Sequence, residues 1–189
     1  WRPANGHGAG PMIVQIHGGP TGQALAAWSQ RTPWLVQQGY TVLQPNHRGS
    51  SGYGVTYRSA LDGRWGERDV ADVVSGIRHA IKEGWAAPTR IAVMGGSAGG
   101  FTALNVAARP TDLVAAVAYL YPVTDLLDLA ATTHRFESGD LARLVGPLPA
   151  SRDEYVARSP ITHAALVRGA VLLLQGDDDR VVNPARTTA

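Results

Sequence analysis

The 189-residue sequence contains no cysteine, which excludes disulfide bonds, thiolate metal sites and a cysteine nucleophile. Lysine is nearly absent as well, because Lys82 is the only one and arginine supplies the remaining positive side chains. With a formal net charge of +2 and no dense basic run, the sequence does not indicate nucleic acid binding. No segment has the pattern of a signal peptide or a membrane span, so we expect a cytoplasmic protein with no membrane partner.

Apolar side chains and turn-forming residues are plentiful. Hydrophobic residues make up 44% of the chain, and 22 glycines and 12 prolines are spread along it rather than concentrated in one segment. This distribution predicts a folded protein with many short connections, without low-complexity sequence or internal repeats. The length suits one domain with a substantial core, and we treat residues 1–189 as part of one domain.

Residues 91–109 carry the strongest pattern in the chain. Four apolar residues, Ile91 to Met94, predict a buried strand, and Phe101 to Ala108 are good helix formers. Between them, Gly95-Gly96-Ser97-Ala98-Gly99 fits the G-x-S-x-G pattern of a nucleophile elbow. An ordinary glycine-rich turn that binds nothing is the alternative interpretation of the five residues taken alone.

The chemistry of such an elbow depends on its small neighbours. A serine on a sharp strand-to-helix turn needs room where the strand and the helix meet, and Gly95 and Gly99 provide it. The pattern therefore makes Ser97 the candidate nucleophile. It also places the amide of Ala98 at a helix N-terminus, where the positive end of the helix dipole favours a developing oxyanion.

A second glycine loop follows an earlier apolar run. Residues Met12 to Ile16 predict a buried strand that ends at His17-Gly18-Gly19-Pro20. Glycines at a strand end leave backbone amides unhindered, so this loop is a candidate for the second half of an oxyanion hole. The alternative is an ordinary turn in which His17 is a hydrogen-bonded loop residue.

Predicted strands and helices alternate along the chain. Thr32 has the character of an N-cap for a helix to Gln38, Tyr40–Gln44 reads as a strand, and residues 67–84 have apolar side chains at helical spacing. Ala170–Leu174 reads as a last strand. Such alternation predicts a parallel sheet with helices on both faces and with ligands at the carboxyl ends of the strands.

The stretch between residues 125 and 160 gives weaker signals. Asp125 can cap a short helix, residues 131–146 have little periodicity and are expected to form a surface excursion over the site, and Ser151 with Glu154 fits a capping box.

Three consecutive acids follow the last predicted strand. Asp177, Asp178 and Asp179 lie where the second member of a Ser, Asp, His series is expected, because that carboxylate must orient a histidine ring. The residues alone do not choose among the three, and a solvated acidic turn is the alternative.

Taken together, the motifs resemble the prolyl oligopeptidase family, with the strongest likeness to its acylaminoacyl-peptidase and dipeptidyl-peptidase-like branches. The resemblance covers nearly the whole chain. The segments that carry it, in order, are His17 to Pro20, Asn46 with Arg48-Gly49-Ser50 and Gly52-Tyr53-Gly54, Gly95 to Gly100, Arg158-Ser159-Pro160, and Gly176 to Val182.

The resemblance implies an α/β-hydrolase fold that is incomplete at both ends and a serine peptidase that forms an acyl-enzyme intermediate. It implies Ser97 as nucleophile, Asp178 as triad acid, and the amides of Gly19 and Ala98 as oxyanion donors. Arg180 matches a position where some relatives orient a substrate carbonyl, although an ion pair with a neighbouring aspartate would also explain it. A peptide is the implied substrate, and no metal or organic cofactor is called for.

The sequence departs from the family in two respects. Family members carry the catalytic histidine after the aspartate, whereas all six histidines here precede Asp178, and only His17 and His47 follow predicted strands near the serine. Relatives also have an N-terminal β-propeller, which is not in this sequence. We therefore expect an internal piece of a longer enzyme that is inactive without its histidine. The full-length chain is expected to carry the propeller, and a homo-oligomer is compatible with the sequence.

Two other functions remain open at this point. A carboxylesterase on the same fold would use the same residues, and a non-catalytic hydrolase-like interaction module would explain the missing histidine.

Overall fold

The computed structural model describes residues 1–4, 8–109, 113–132 and 138–179. Within these ranges the chain forms five strands: β1 (Gly10–Ile16), β2 (Thr41–Leu43), β3 (Ala86–Gly96), β4 (Ala116–Leu120) and β5 (Ala170–Leu174). The helices described are α1 (Arg31–Gln37), α2 (Val55–Ser59), α3 (Arg68–Lys82), α4 (Ala98–Ala107), α5 (Leu126–Thr132), α6 (Ser138–Leu144), α7 (Arg152–Arg158) and a 3₁₀ helix at Pro160–Leu166. In this part of the chain no helix is both long and apolar enough to cross a bilayer.

The strands form one parallel sheet in the order β2-β1-β3-β4-β5. From β1 the chain moves to β2 at one edge, and it then places β3, β4 and β5 on the opposite side of β1. The direction of winding therefore reverses between β1 and β3. In open parallel sheets, ligands bind at the carboxyl ends of the strands beside such a reversal. The predicted parallel sheet is confirmed, and its topology marks the ends of β1 and β3 as the place to look for a site.

The central strands are buried because their apolar side chains are covered by helices. Met12, Val14, Ile91 and Val93 are each at most 1% exposed and form the centre of the main core. The helix predicted over residues 67–84 is confirmed as α3, whose buried apolar side chains belong to the same core. Residues at helical spacing on α3 thus cover the strands that deliver the two glycine loops.

Helix α4 is buried along its whole length. Its C-terminal half, with Ala103, Leu104 and Val106, joins the main core. Its first turn, with Ala98 and Phe101, joins a second apolar cluster that includes helices α5, α6 and α7. Because α4 is held between two cores, the turn that precedes it is fixed from both sides.

Three local predictions were wrong. Thr32 is not the N-cap of α1, because the helix begins at Arg31 and Thr32 lies buried in its first turn. Residues 131–146 were expected to form a surface excursion; residues 133–137 lie outside the described residues, but in the remaining part α6 buries Leu141 and Leu144 in the second cluster. The Ser151 side chain makes no capping hydrogen bond to α7.

The Glu154 carboxylate, which would complete a capping box, is used elsewhere. It accepts a hydrogen bond of 2.7 Å from Arg158, whose side chain is only 7% exposed. The same guanidinium pairs with Glu67 at 2.7 Å and donates to the carbonyl of Gly63 at 2.9 Å. Arg158 therefore ties α7 to the segment that precedes α3, which explains why an arginine stands before Ser159 and Pro160.

The loop after β2 is anchored to α3 by several hydrogen bonds between Arg48 and Asp72. The side chain of Arg48 donates to both carboxylate oxygens of Asp72 at distances from 2.7 to 3.1 Å, and the Arg48 backbone N–H adds a bond of 2.8 Å. Burial alone would raise the pKa of Asp72, but the bonds from Arg48 outweigh it and the pKa is lowered. The ionised carboxylate therefore stabilises the position of this loop.

We expect Asp72→Asn to reduce the free energy of unfolding by about 1 kcal/mol at pH 7, because the charge-assisted bonds to Arg48 are weakened. Since the folded-state pKa of Asp72 is lowered, this contribution is present above the unfolded value near 3.9 and is lost as the pH falls through the folded value. Urea unfolding of both proteins from pH 3 to pH 7 measures it. A difference that stays constant or grows towards pH 3 would contradict the assignment.

Candidate active site

The two glycine loops meet at the carboxyl edge of the sheet. Ile16, the last residue of β1, pairs with Gly95 near the end of β3. A Cβ built on Gly18 would lie 3.9 Å from the Cβ of Ser97 and 3.3 Å from the carbonyl oxygen of Gly96. The sequence separates these loops by almost eighty residues, but the fold places them in contact.

Ser97 has an unusual backbone conformation. Its φ of 53° and ψ of −125° fall in a region that side chains rarely adopt, and it stands as the N-cap of α4 without a side-chain capping bond. The backbone is held by its neighbours, because the N–H of Ser97 donates to the carbonyl of Leu120 and its own carbonyl accepts from Phe101, both at 3.1 Å. Strain of this kind costs on the order of 1–3 kcal/mol and is concentrated at functional sites. The partly exposed serine is therefore presented as the elbow pattern predicts.

Close backbone contacts explain the glycines around Ser97. A Cβ on Gly95 would collide with the carbonyl of Gly99, and a Cβ on Gly99 would collide with the carbonyl oxygens of Ile16 and His17. The first turn of α4 thus packs directly on the end of β1. This contact, as well as the sheet register, brings the first glycine loop to the serine.

The predicted oxyanion donors are the backbone amides of Gly19 and Ala98. Ala98 is the first residue of α4, and the first N–H groups of a helix have no partner within the helix. Gly19 is exposed, has a φ of 122° and follows Gly18, the glycine that approaches Ser97. Their assignment as oxyanion donors remains a prediction that rests on this placement.

The acidic segment lies on the same edge of the sheet. Leu174 at the end of β5 pairs with Leu120, and Leu120 pairs with Gly96 beside the serine. Two strand spacings separate β3 from β5, which is roughly 10 Å. Asp178 is exposed four residues after β5, while the amide of Gln175 donates to Asp179 at 3.3 Å. Of the predicted site residues, only Arg180 lies outside the described residues.

The two histidines near the serine are engaged with other groups. Their rings stack with centroids 4.5 Å apart and an angle of 18° between planes. The Nε2 atom of His17 lies 2.8 Å from the hydroxyl of Ser50, and its Nδ1 lies 3.0 Å from the carbonyl of Gly18. His47 is 2% exposed and directs Nδ1 to the carbonyl of Arg48 at 2.9 Å. Neither ring is arranged as a general base for Ser97.

The sequence analysis did not identify a buried carboxylate, Asp69, that contacts the helix following Ser97. Asp69 is fully buried and accepts hydrogen bonds from the Thr102 hydroxyl at 2.6 Å and from the N–H of Gly66 at 2.7 Å. Burial raises the pKa of Asp69, and these hydrogen bonds and the nearby His47 oppose the shift. The only sequence signal was a threonine on a helix that is otherwise almost entirely apolar. Asp69 and Thr102 join α3 to the first turns of α4.

Tyr121 is a second residue of the site that the sequence analysis did not single out. It has a φ of 37°, which is rare for a tyrosine, and its N–H donates to the carbonyl of Leu174 at 2.8 Å. A Cβ on Gly96 would lie 3.2 Å from the Tyr121 hydroxyl oxygen. The half-exposed ring therefore lies beside the elbow, on the side of β4.

The described ranges contain no candidate metal site. Among those residues, no three histidine, aspartate or glutamate side chains lie close enough together to hold a metal ion.

The sequence was compared with family profiles and with individual known proteins, and the matches agree with one another. The sequence profile of the prolyl oligopeptidase family matches residues 26–189. The chain is 34% identical over 176 residues to an acylamino-acid-releasing enzyme of Arabidopsis thaliana, covering 89% of this chain and 23% of that protein. It is 32% identical over 183 residues to dipeptidyl peptidase family member 6 of Caenorhabditis elegans, covering 93% of this chain and 25% of the relative. The chain thus spans about a quarter of the length of these relatives.

A solved structure matches the whole fold. A puromycin-hydrolyzing peptidase of Mycobacterium tuberculosis superposes with a TM-score of 0.94 at 37% identity, covering 100% of this chain and 29% of that protein. The predicted α/β-hydrolase fold is confirmed.

Backbone strain at position 97 can be separated from the loss of the hydroxyl by comparing two variants. We expect Ser97→Gly to be more stable than Ser97→Ala by about 1 kcal/mol, because glycine relieves the strained conformation. At Ser59, exposed at the end of α2, the order should reverse, since glycine costs helix stability. Urea unfolding measures the stability of the glycine and alanine variants at both positions. If Ser97→Ala is more stable than Ser97→Gly, the backbone at position 97 is not strained.

Proposed function

Because the chain belongs to the prolyl oligopeptidase family, we propose that it is part of a serine peptidase in which Ser97 is the nucleophile. The observation that carries the proposal is the strained backbone of Ser97 beside Gly18, at the point where the strand order reverses. Ser97 is partly exposed at the carboxyl edge of the sheet, between the glycine loop after β1 and the first residue of α4. This geometry suits attack on a carbonyl group.

The proposed reaction is a two-step acyl transfer. In the first step the Ser97 oxygen forms a bond to the carbonyl carbon of a peptide while its proton passes to a histidine base. The negative charge that develops on the carbonyl oxygen is stabilised by the N–H groups of Gly19 and Ala98. The peptide C–N bond then breaks, and the amine leaves with the proton from the histidine. Water adds to the ester in the second step, which releases the acid and restores the serine.

We assign Asp178 as the acid that orients the histidine. This assignment is supported by the position of Asp178 in the chain, just after β5. Strand β5 lies two strands from β3, and the carboxyl ends of both strands lie at the same edge of the sheet. The histidine is the one that the family resemblance places later than this aspartate, because His17 and His47 have their ring atoms engaged elsewhere or buried. Arg180 is proposed, on the resemblance alone, to orient a substrate carbonyl.

Peptide substrates are favoured over esters by the names of the relatives, which are a dipeptidyl peptidase family member and an acylamino-acid-releasing enzyme. The chain covers about a quarter of these proteins. We propose that the full-length protein carries a β-propeller domain, acts in the cytoplasm and forms homo-oligomers. Cell fractionation, and light scattering after size exclusion, would test the last two points.

Labelling of the full-length protein with a fluorophosphonate probe tests the nucleophile. We expect the wild-type protein to be labelled and Ser97→Ala to lose labelling and peptidase activity, because the phosphonate reacts only with an activated hydroxyl. Ser51→Ala, at a serine of the loop after β2, is the matched control and should be labelled normally. Equal labelling of the wild-type and Ser97→Ala proteins would remove the assignment.

The choice between Asp178 and Asp177 is tested by single substitutions in the full-length protein. We expect Asp178→Asn to lower kcat by about 10³- to 10⁴-fold on a peptide anilide, since the histidine loses the carboxylate that fixes its tautomer. Asp177→Asn should keep kcat within a few fold. A larger loss for Asp177→Asn than for Asp178→Asn would move the triad acid to residue 177.

A further inference from the structure

The ring of Tyr121 covers the backbone of Gly96, the residue before the nucleophile. A Cβ built on Gly96 would lie 3.2 Å from the tyrosine hydroxyl oxygen, 3.3 Å from Cζ and 3.4 Å from Cε2. These atoms form the tip of the ring, so the ring reaches from the end of β4 to the turn after β3. Because a side chain at position 96 would need the same space, the glycine makes room for the tyrosine.

The backbone fixes the point from which this ring extends. The carbonyl of Leu120 accepts from the N–H of Ser97 at 3.1 Å, and the N–H of Tyr121 donates to the carbonyl of Leu174 at 2.8 Å. The peptide unit between Leu120 and Tyr121 is therefore held on both sides. With a φ of 37°, Tyr121 joins Ser97 as a described residue other than glycine with a positive φ. Strained conformations of this kind are concentrated at functional sites.

The exposure of Tyr121 leaves its ring available to a ligand. The residue is 43% exposed, and its hydroxyl makes no hydrogen bond to the described part of the chain. Tyr119, two residues earlier on β4, shows the contrast, because it packs against the main core and burial raises its pKa. Tyr121 instead presents a flat apolar surface next to the nucleophile.

The order of the strands shows which half of a substrate would meet this ring. Strand β4 lies between β3, which leads to Ser97, and β5, which leads to Asp178. The loop with Gly19 follows β1, on the other side of β3. A histidine that meets both Ser97 and Asp178 must therefore stand on the β4 side of the serine, and this histidine gives its proton to the leaving amine. The amine half of the peptide departs on the side where Tyr121 lies.

Resting on the function proposed above, we infer that Tyr121 is a specificity-determining residue for the amine half of the substrate, the part that leaves when the acyl-enzyme forms. Its ring packs on the side chain of the first residue after the cleaved bond. This contact favours leaving residues with large apolar or aromatic side chains. Tyr121 selects which peptides acylate Ser97, and it takes no part in moving the proton.

Two peptides with the same acyl half measure this preference. One has phenylalanine amide as its leaving group and the other has glycine amide, so effects on the acyl half and on Ser97 cancel in the ratio of the two kcat/KM values. An aromatic pair, together with the apolar area that it buries, corresponds to roughly tenfold in this ratio. We expect the full-length wild-type enzyme to prefer the phenylalanine amide peptide by about this factor.

Substitutions at position 121 separate the ring from the backbone that carries it. Tyr121→Asn removes the ring and keeps a residue that tolerates a positive φ, so we expect the preference to fall about fivefold or more. Tyr121→Phe keeps the ring and should retain the preference within about twofold. Tyr119→Phe is the matched control on the same strand and should leave the ratio unchanged. If Tyr121→Asn does not fold, as judged by circular dichroism, Tyr121→Gly replaces it, because glycine adopts this φ freely.

Acyl transfer measures the same contact from the opposite direction. When an amine is added, the acyl-enzyme divides between water and the amine, and the amine enters where the leaving amine departed. We expect phenylalanine amide to capture the wild-type acyl-enzyme roughly tenfold better than glycine amide does, and Tyr121→Asn to lose most of this difference.

The outcomes distinguish the inference from the function on which it rests. If Tyr121→Asn changes the preference for the residue before the cleaved bond and not for the residue after it, the ring contacts the acyl half and the inference is wrong. If Ser97 is labelled and the enzyme is active, but the wild type shows no preference or Tyr121→Asn keeps it, the role of Tyr121 is overturned and the proposed peptidase function stands. If the wild-type protein is not labelled at Ser97, the proposed function fails and the inference falls with it.

Discussion

The contact between the first turn of α4 and the end of β1 is the constraint on which the site depends. Gly99 packs against the carbonyls of Ile16 and His17 so closely that no Cβ fits between them. This approach fixes the distance between the loop after β1 and the turn after β3, whatever their sequence separation. It also holds Ser97 in its strained backbone conformation, because α4 is buried along its length and cannot withdraw to relieve the strain.

Local signals in the sequence were sufficient for most of the fold. The apolar runs at Met12–Ile16 and Ala170–Leu174, and the helical spacing over residues 67–84, predicted β1, β5 and α3 because each pattern is repeated within one element. The reversal of strand order between β1 and β3 has no such local signature. Asp69 and Thr102 are 33 residues apart, and nothing in either neighbourhood indicates that the two side chains meet. The polar base of the elbow was therefore not predictable.

Two of the wrong predictions, at α6 and at Ser151, failed because contacts with other parts of the chain decide the local structure. Helix α6 spans only Ser138–Leu144, which is too short for a clear periodicity, although Leu141, Leu144 and Val145 have the spacing of one buried helix face. At Ser151 the capping-box pattern was present, but its glutamate pairs with Arg158 from one turn further along α7. The backbone N–H of Ser151, which that glutamate would cap, instead donates to the carbonyl of Pro147 at 2.9 Å.

The two predicted oxyanion donors are held in place by different forces. Ala98 is fixed by apolar packing, since it and Phe101 are buried in the second cluster together with α5, α6 and α7. Gly19 itself is exposed and has no side chain to pack, so its direction depends on the residues around it, which include the buried Pro20. Apolar contacts tolerate small rotations, but a buried donor or acceptor that loses its partner costs about 1–3 kcal/mol. Hydrogen bonds such as the one from the Gly22 N–H to the Gly18 carbonyl therefore limit the conformations of a glycine loop that would otherwise have many.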